Sequence, residues 1–474
     1  MLKKDPIQDF KNLIPTYLPF SPNSDQTLAI EKITEFIFNR DERSVFVLKG
    51  YAGTGKTNLI SAFTKALPTI KWRSVLLAPT GRAAKVLSSY SQRQAQTIHK
   101  KIFRKQLDSN GAVHFSLAEN LHRNTLFIVD EASMIGADSG GGSLFNSLLE
   151  NLFEYIYSGD NCKLILIGDT AQLPPVGSNE SPALNREYLK TAFYLNIFFY
   201  ELKEVARQRL ESGILLNATN LRNTIDSEDF LFPKLVCKSD VIRLSGEDLE
   251  DTLNTTISNY GEDGVIIITR SNKRANLFNQ SFRNRIKLYE EDLCAGDKLM
   301  IVKNNYFWLP ENNGEAGFIA NGDMVEIKRI LNREELYGFN FCECVISFVD
   351  YPNLPEQQVK LLTDSLYTDN PALSNEDQQK LYEAVLEDVR NEPIKGVRMS
   401  YLKTSNYYNA LQVKFSYAIT CHKSQGGQWP AVFIDQGFLK EENIDHGFIR
   451  WLYTAITRAT EKIFLVNFSE QFFS

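Results

Sequence analysis

The run Gly50-Tyr51-Ala52-Gly53-Thr54-Gly55-Lys56-Thr57 has the residue types and spacing that hold nucleotide phosphates. It follows the apolar stretch 44–49 and precedes a helix-forming stretch. That is the strand–loop–helix setting a phosphate loop requires. Gly50, Gly53 and Gly55, with Thr54 among them, let backbone N–H groups curl around phosphate oxygens, and the helix N-terminus adds a favourable dipole. Lys56 is placed to reach the β- and γ-phosphates of ATP, and the Thr57 hydroxyl to bind Mg2+. A second run, Thr125-Leu126-Phe127-Ile128-Val129-Asp130-Glu131, ends an apolar strand in two carboxylates. Asp130 can complete the Mg2+ shell, and Glu131 can polarise an attacking water. A third strand-to-loop junction spans 163–176, where Gln172 is placed to sense the γ-phosphate or the water, and Pro174-Pro175 stiffens the exit. Singly, each run also fits a Gly-rich turn or a solvated acidic pair. Their order and spacing point to hydrolysis rather than to a passive nucleotide switch.

The elements that must position these groups form an α/β pattern. Short aliphatic runs at 44–49, 74–78, 125–130, 163–168, 265–269, 431–435 and 463–466 fit strands of parallel sheets covered on both faces. Helical stretches such as 58–66 and 82–89 lie between them. The strands fall into two groups. These predict two P-loop-type α/β domains, one over 1–200 and one formed by 201–291 with 404–474. Two segments break the pattern. Around 100–124, basic residues and an Asn110-Gly111 turn between Leu107 and Val113 predict a hairpin insertion. Over 292–403, runs 297–306, 322–331 and 340–351 read as antiparallel strands, followed by a polar helical stretch over 355–390. This predicts a small β-barrel insertion with a helical extension.

The chain has 474 residues, a length that suggests two to four domains. With 43% hydrophobic and 23% charged residues, its composition is that of an ordinary globular protein. No apolar run reaches the roughly 18 residues of a membrane span, and the N-terminus lacks a secretory pattern. Cys162, Cys237, Cys294, Cys342, Cys344 and Cys421 form no CxxC pair, so reduced thiols in an intracellular, cytoplasmic protein are expected. The net charge of −6 does not exclude a nucleic-acid partner, because a large chain needs only a local basic track.

Taken in order, the motifs resemble those of superfamily 1 helicases. The phosphate loop is followed by Leu76–Lys85, Thr97-Ile98-His99, Asp130–Met134 and Gly168–Gln172. Glu204–Gln208, Thr420–Gly426 and Trp451–Arg458 then resemble the later motifs of the RecD/Dda-like branch, superfamily 1B. The resemblance runs from about Gln26 to Val466. It implies two RecA-like domains, an SH3-like barrel and an ATP- and Mg2+-dependent motor on single-stranded DNA and its junctions with duplex. It further implies 5′ to 3′ movement and action as a monomer. Arg207 and Arg458 resemble the arginines that reach across the cleft to the γ-phosphate. Gln26 resembles the glutamine that reads adenine, while Asn23 and Gln26 also fit a helix cap. Thr80, Lys85, His99, His422 and Ser424 would line the nucleic-acid path, against structural roles for each hydroxyl and imidazole. Phe115, or Phe103, is the candidate wedge on the last base pair, with packing as the other reading. For Tyr453, the domain cleft and plain core packing stay open. A translocase without unwinding, an RNA helicase and a P-loop kinase are the competing functions.

Overall fold

The computed structural model describes residues 5–107, 113–137, 147–204, 212–227, 232–309, 319–351, 353–439 and 441–473. In the N-terminal part, strands β1 (Ser44–Gly50), β2 (Arg73–Ala78) and β3 (Ala95–Thr97) precede a hairpin of β4 (Phe103–Leu107) and β5 (Val113–Leu117). Next come β6 (Arg123–Val129), β7 (Asp160–Gly168) and β8 (Asn196–Leu202). Apart from the hairpin these form one sheet in the order β3-β2-β6-β7-β1-β8, with every pairing parallel. The apolar run of β1 explains its place inside the sheet. Val45, Phe46, Val47 and Leu48 are each 0% exposed, and such side chains contribute roughly 1.5–3 kcal/mol apiece on burial. Leu59, Ile60, Ala62 and Phe63 of the helix Lys56–Ala66 share a cluster with Phe46 and Leu48, which fixes the helix against one face of the sheet.

The second sheet is also parallel. It is built from β9 (Val241–Leu244), β10 (Val265–Thr269), β16 (Ala418–Thr420), β17 (Trp429–Asp435) and β18 (Ala459–Val466), in the order β16-β10-β17-β18-β9. Between β10 and β16 the chain forms a closed barrel of β11 (Lys298–Ile301), β12 (Met324–Leu336), β13 (Phe339–Phe348), β14 (Gln357–Leu362) and β15 (Leu411–Phe415). Register shifts between Ile327 and Arg329 and between Ile330 and Asn332 bend β12, as closing a small barrel requires. Two α/β sheets, a hairpin and a barrel are the fold class expected from the sequence.

Three details differ from the expectation. The stretch 355–390 is not helical throughout. Residues 357–362 form β14 instead, because β13 needs an antiparallel neighbour and Val359 and Leu361 fill the barrel interior. Helices in this region are Asn375–Glu387 and Lys395–Thr404, which cover Phe339 and Phe341. The closing strand β15 lies beyond residue 403, so the barrel runs past the boundary predicted for it. The strand expected over 297–306 is shorter, since only 298–301 pair in the ladder.

The hairpin pairs Phe103 with Leu117 through to Leu107 with Val113, while its Asn110-Gly111 turn lies outside the described residues. All six cysteines carry free thiols, and Cys342 and Cys344 are buried in β13. No helix among the described residues is long and apolar enough to cross a membrane.

Candidate nucleotide site and nucleic-acid interface

In an open parallel sheet, ligands bind outside the carboxyl ends of the strands. Because β6, β7 and β1 are neighbours, their carboxyl ends place Asp130, Asp169 and the Gly50–Thr57 loop side by side. Gly53 and Gly55 hold the loop with φ of 80° and 86°. At Gly55 a side chain is excluded twice, by the left-handed backbone and because a Cβ would lie 2.6 Å from Gln26 Nε2. Lys56 Nζ donates to the carbonyls of Gly50 at 2.6 Å and Tyr51 at 2.9 Å. Thr57 follows it, half-buried in the first turn of the helix.

Gln26 is 3% exposed and closes a capping box with Asn23. Its Oε1 accepts from the Asn23 N–H at 3.2 Å, and its Nε2 donates to the Thr54 carbonyl at 3.0 Å. The cap is therefore formed, and the same amide supports the phosphate loop.

Asp130 is half-buried, and its carboxyl is pushed up to about 6 by desolvation first and then by the adjacent Glu131. Its Oδ1 accepts the Glu131 N–H at 2.9 Å. Glu131 sits at φ 53°, a left-handed conformation that a side chain adopts at a cost and that recurs at functional sites. Asp169 is also buried, and burial pushes its carboxyl up while nearby Lys56 opposes the shift. Gln172 is 6% exposed, and its Oε1 has no hydrogen-bond partner among the described residues. Carboxyls that desolvation pushes up, a buried amide oxygen able to accept from a water and a left-handed glycine cradle suit a magnesium–triphosphate and its attacking water.

The second domain closes this site. Arg458 is 3% exposed, and its Nη1 lies 3.6 Å from Glu131 Oε1. It also donates to the Thr454 carbonyl at 3.1 Å and to Thr457 Oγ1 at 3.2 Å. Tyr453, from the helix His446–Ile456, accepts the Ala52 N–H at 3.0 Å and donates to Asp169 Oδ2 at 2.6 Å. Thr454 Oγ1 accepts the Leu173 N–H at 2.9 Å, Gln425 donates to the Leu173 carbonyl at 2.7 Å, and Arg450 donates to the Thr170 carbonyl. The loop after β7 is thus clasped by the second domain. Tyr453 lies in the cleft, buried. Arg207 lies outside the described residues.

The predicted nucleic-acid residues are only partly gathered. Thr80 caps the helix Gly81–Ser91, accepting the Ala83 N–H at 3.2 Å. Gly426, at φ 73°, approaches the same turn so closely that a Cβ there would lie 2.6 Å from the Ala83 Cβ and 3.4 Å from Thr80 Oγ1. Segments 80–83 and 420–426 therefore face each other across the two domains. Although the His422 side chain is exposed, partial desolvation of its ring holds the imidazole below the usual histidine range. Ser424 is 0% exposed and donates to the Cys421 carbonyl at 2.8 Å, so its hydroxyl is turned inward. Lys85 donates to the Val349 carbonyl at 2.8 Å and lies 3.5 Å from Asp350, both of the barrel. His99 is pushed down to about 4 by burial, so at neutral pH it offers a neutral ring and no positive charge. Its ring lies 5.8 Å from that of Phe103, which packs at the base of the hairpin. The side chain of Phe115 lies outside the described residues.

Sequence reasoning passed over Asp169, Arg450, Thr454, Gln425 and Lys423. The Gly168-Asp169 strand end was a usable signal for the first. Lys423 donates to Asn321 of the barrel at 2.7 Å, and burial pushes its ammonium down to about 8.

Comparisons with known proteins find similar chains. Residues 21–227 match the AAA domain family, and residues 415–466 match the UvrD-like helicase C-terminal domain. An uncharacterised protein of Acanthamoeba polyphaga mimivirus is 26% identical, over 93% of this chain and 99% of its own. The ATP-dependent DNA helicase dda of Enterobacteria phage T4 is 24% identical, over 90% of this chain and 95% of its own. Among solved structures, the Pif1 helicase from Bacteroides in complex with ADP-AlF3 and ssDNA aligns with a TM-score of 0.47 and 15% identity, over 96% of this chain and 95% of that one. The ordered motifs, the two matched families and relatives of nearly equal length together support an ATP-hydrolysing helicase of superfamily 1B, the Pif1/RecD-like group.

Proposed function

We propose that the chain moves 5′ to 3′ along single-stranded DNA and opens duplex at junctions, driven by ATP hydrolysis in the cleft between its two parallel sheets. The observation that carries this reading is the 3.6 Å approach of Arg458, from one domain, to Glu131 of the other. A cleft that is completed only when both domains contribute links catalysis to domain closure. The similarity to the phage helicase dda, named for DNA, favours DNA as the track.

The roles follow from position. Lys56 leaves the carbonyls of Gly50 and Tyr51 to bind the β- and γ-phosphates. Thr57 and Asp130 would hold Mg2+, which would draw charge from the phosphate oxygens. Glu131 accepts a proton from the attacking water, and Gln172 orients that water through its unpaired Oε1. Arg458, with Arg207, stabilises charge on the transferring phosphoryl. Closure favoured by these arginines draws segments 80–83 and 420–426 together, where Thr80 and His422 contact backbone phosphates. Lys85 joins them once released from Val349 and Asp350. Phe115, nearer the hairpin tip than Phe103 by register, serves as the wedge. The chain acts as an intracellular monomer.

Unwinding of duplexes tailed at either end tests this directly. Opening is expected only with a 5′ tail, and a Phe115→Ala variant should lose unwinding while keeping DNA-stimulated hydrolysis. Opening of 3′-tailed substrates alone would overturn the polarity. Translocation without any opening would make the chain a protein-displacing motor.

A further inference from the structure

Phosphate binding uses the backbone of the Gly50–Thr57 loop, yet the Tyr51 side chain is not left in solvent. It is 8% exposed and belongs to the hydrophobic cluster of the second domain, with Ile214, Ala218 and Leu221 of the helix Gly213–Ile225. Its hydroxyl donates at 3.1 Å to Asp226 Oδ2, the C-cap residue of that helix. Arg222, one turn earlier, lies over the ring at 4.5 Å. A tyrosine is the residue type that can be gripped in all three ways, through apolar area, a directional hydroxyl and a π-face.

The other end of the same residue meets the nucleotide machinery. The Tyr51 carbonyl accepts Lys56 Nζ at 2.9 Å, Thr54 Oγ1 at 2.8 Å and the Thr54 N–H at 3.3 Å. Phosphate must take Lys56 away from this carbonyl, so the resting place of Tyr51 depends on occupancy of the loop. A side chain seated in the second domain transmits any such shift to the helix Gly213–Ile225. The Ala52 N–H, next in the chain, is held by Tyr453. The two tyrosines thus cross the cleft in opposite directions.

We propose that Tyr51 is a positioning residue that couples occupancy of the phosphate loop to the second domain through Asp226 and Arg222. This rests on the reading of Gly50–Thr57 as the ATP site.

The test uses the full chain with Tyr51→Phe, Asp226→Ala, their double variant and Arg222→Ala. ATP hydrolysis is measured with and without a single-stranded DNA oligonucleotide, alongside equilibrium binding of a fluorescent ADP analogue. Asp226→Ala and Arg222→Ala should lower DNA-stimulated kcat by about fivefold or more, the range of ordinary coupling energies, with ADP affinity and the KM for ATP near wild type. Tyr51→Phe keeps the ring and its packing, so its effect reports the hydroxyl rather than misfolding. Combined with Asp226→Ala it should add little, because both remove one bond. Wild-type stimulation in Asp226→Ala and Tyr51→Phe, additive losses in the double variant, or a fall in ADP affinity in place of kcat would each overturn the coupling role. Failure of the wild-type chain to bind the ADP analogue would instead remove the ATP-site reading, and this proposal with it.

Discussion

Glu131→Gln is expected to reduce turnover by about a hundred- to ten-thousandfold, the range for removal of a general base, while nucleotide binding survives. The carboxylate stands at the end of β6, held by its left-handed backbone and aligned beside Asp130 by the 2.9 Å bond from its own N–H. An amide of the same shape keeps its place beside Arg458, and the cross-domain bonds of Tyr453 and Thr454 are untouched, so closure of the cleft persists. What it cannot do is take a proton from water. The losses should therefore fall on kcat and single-turnover hydrolysis, with fluorescent-ADP affinity little changed. A loss of less than about tenfold would assign the base to another group, with buried Asp169 the nearest alternative.

Arg458→Ala should be nearly as severe for a different reason. An arginine that reaches the phosphoryl across a domain boundary is worth about a thousand- to a hundred-thousandfold in rate. Here the guanidinium is 3% exposed and divided between Glu131 and acceptors of its own domain, the Thr454 carbonyl and Thr457 Oγ1. Its removal also takes away hydrogen bonds made by a buried charged group, about 1.5–3 kcal/mol each, although Thr457 Oγ1 still donates to the Thr454 carbonyl, so the melting temperature should fall with the rate. Arg458→Lys separates the two effects. It restores charge but not the planar fork, so stability should recover more than kcat. Equal recovery of both, or wild-type kcat in Arg458→Ala, would contradict a catalytic role.

The candidate nucleotide site was legible because its groups lie at strand ends. Apolar runs mark where β1, β6 and β7 stop, and parallel order makes consecutive stops neighbours in space. Gly50, Asp130 and Gln172 could be placed from local patterns alone. Tyr51, Tyr453 and Thr454 could not, since their partners lie 175, 401 and 281 positions away along the chain. Nothing in a local window separates a cleft tyrosine from a core one. The barrel was legible as antiparallel strands, but β14 was read as helix. Its six residues carry glutamines and a lysine whose side chains face outward or pair across strands, and only closure against β13 and β15 gives them a strand environment. Lys85 and Ser424 show a further gap. Residue type suits both to phosphate, yet Lys85 is engaged by the barrel and Ser424 is fully buried. At Gln26 the helix-cap reading is met, and the same amide also supports Thr54.

The central claim is that a nucleic-acid track drives hydrolysis in this cleft. It is tested most directly by ATP turnover with and without a single-stranded DNA oligonucleotide, for the wild-type chain and for Lys56→Ala. The account predicts strong stimulation of the wild type by DNA and near-complete loss of turnover in the variant under both conditions. Robust hydrolysis indifferent to DNA, or activity that survives in Lys56→Ala, would contradict it.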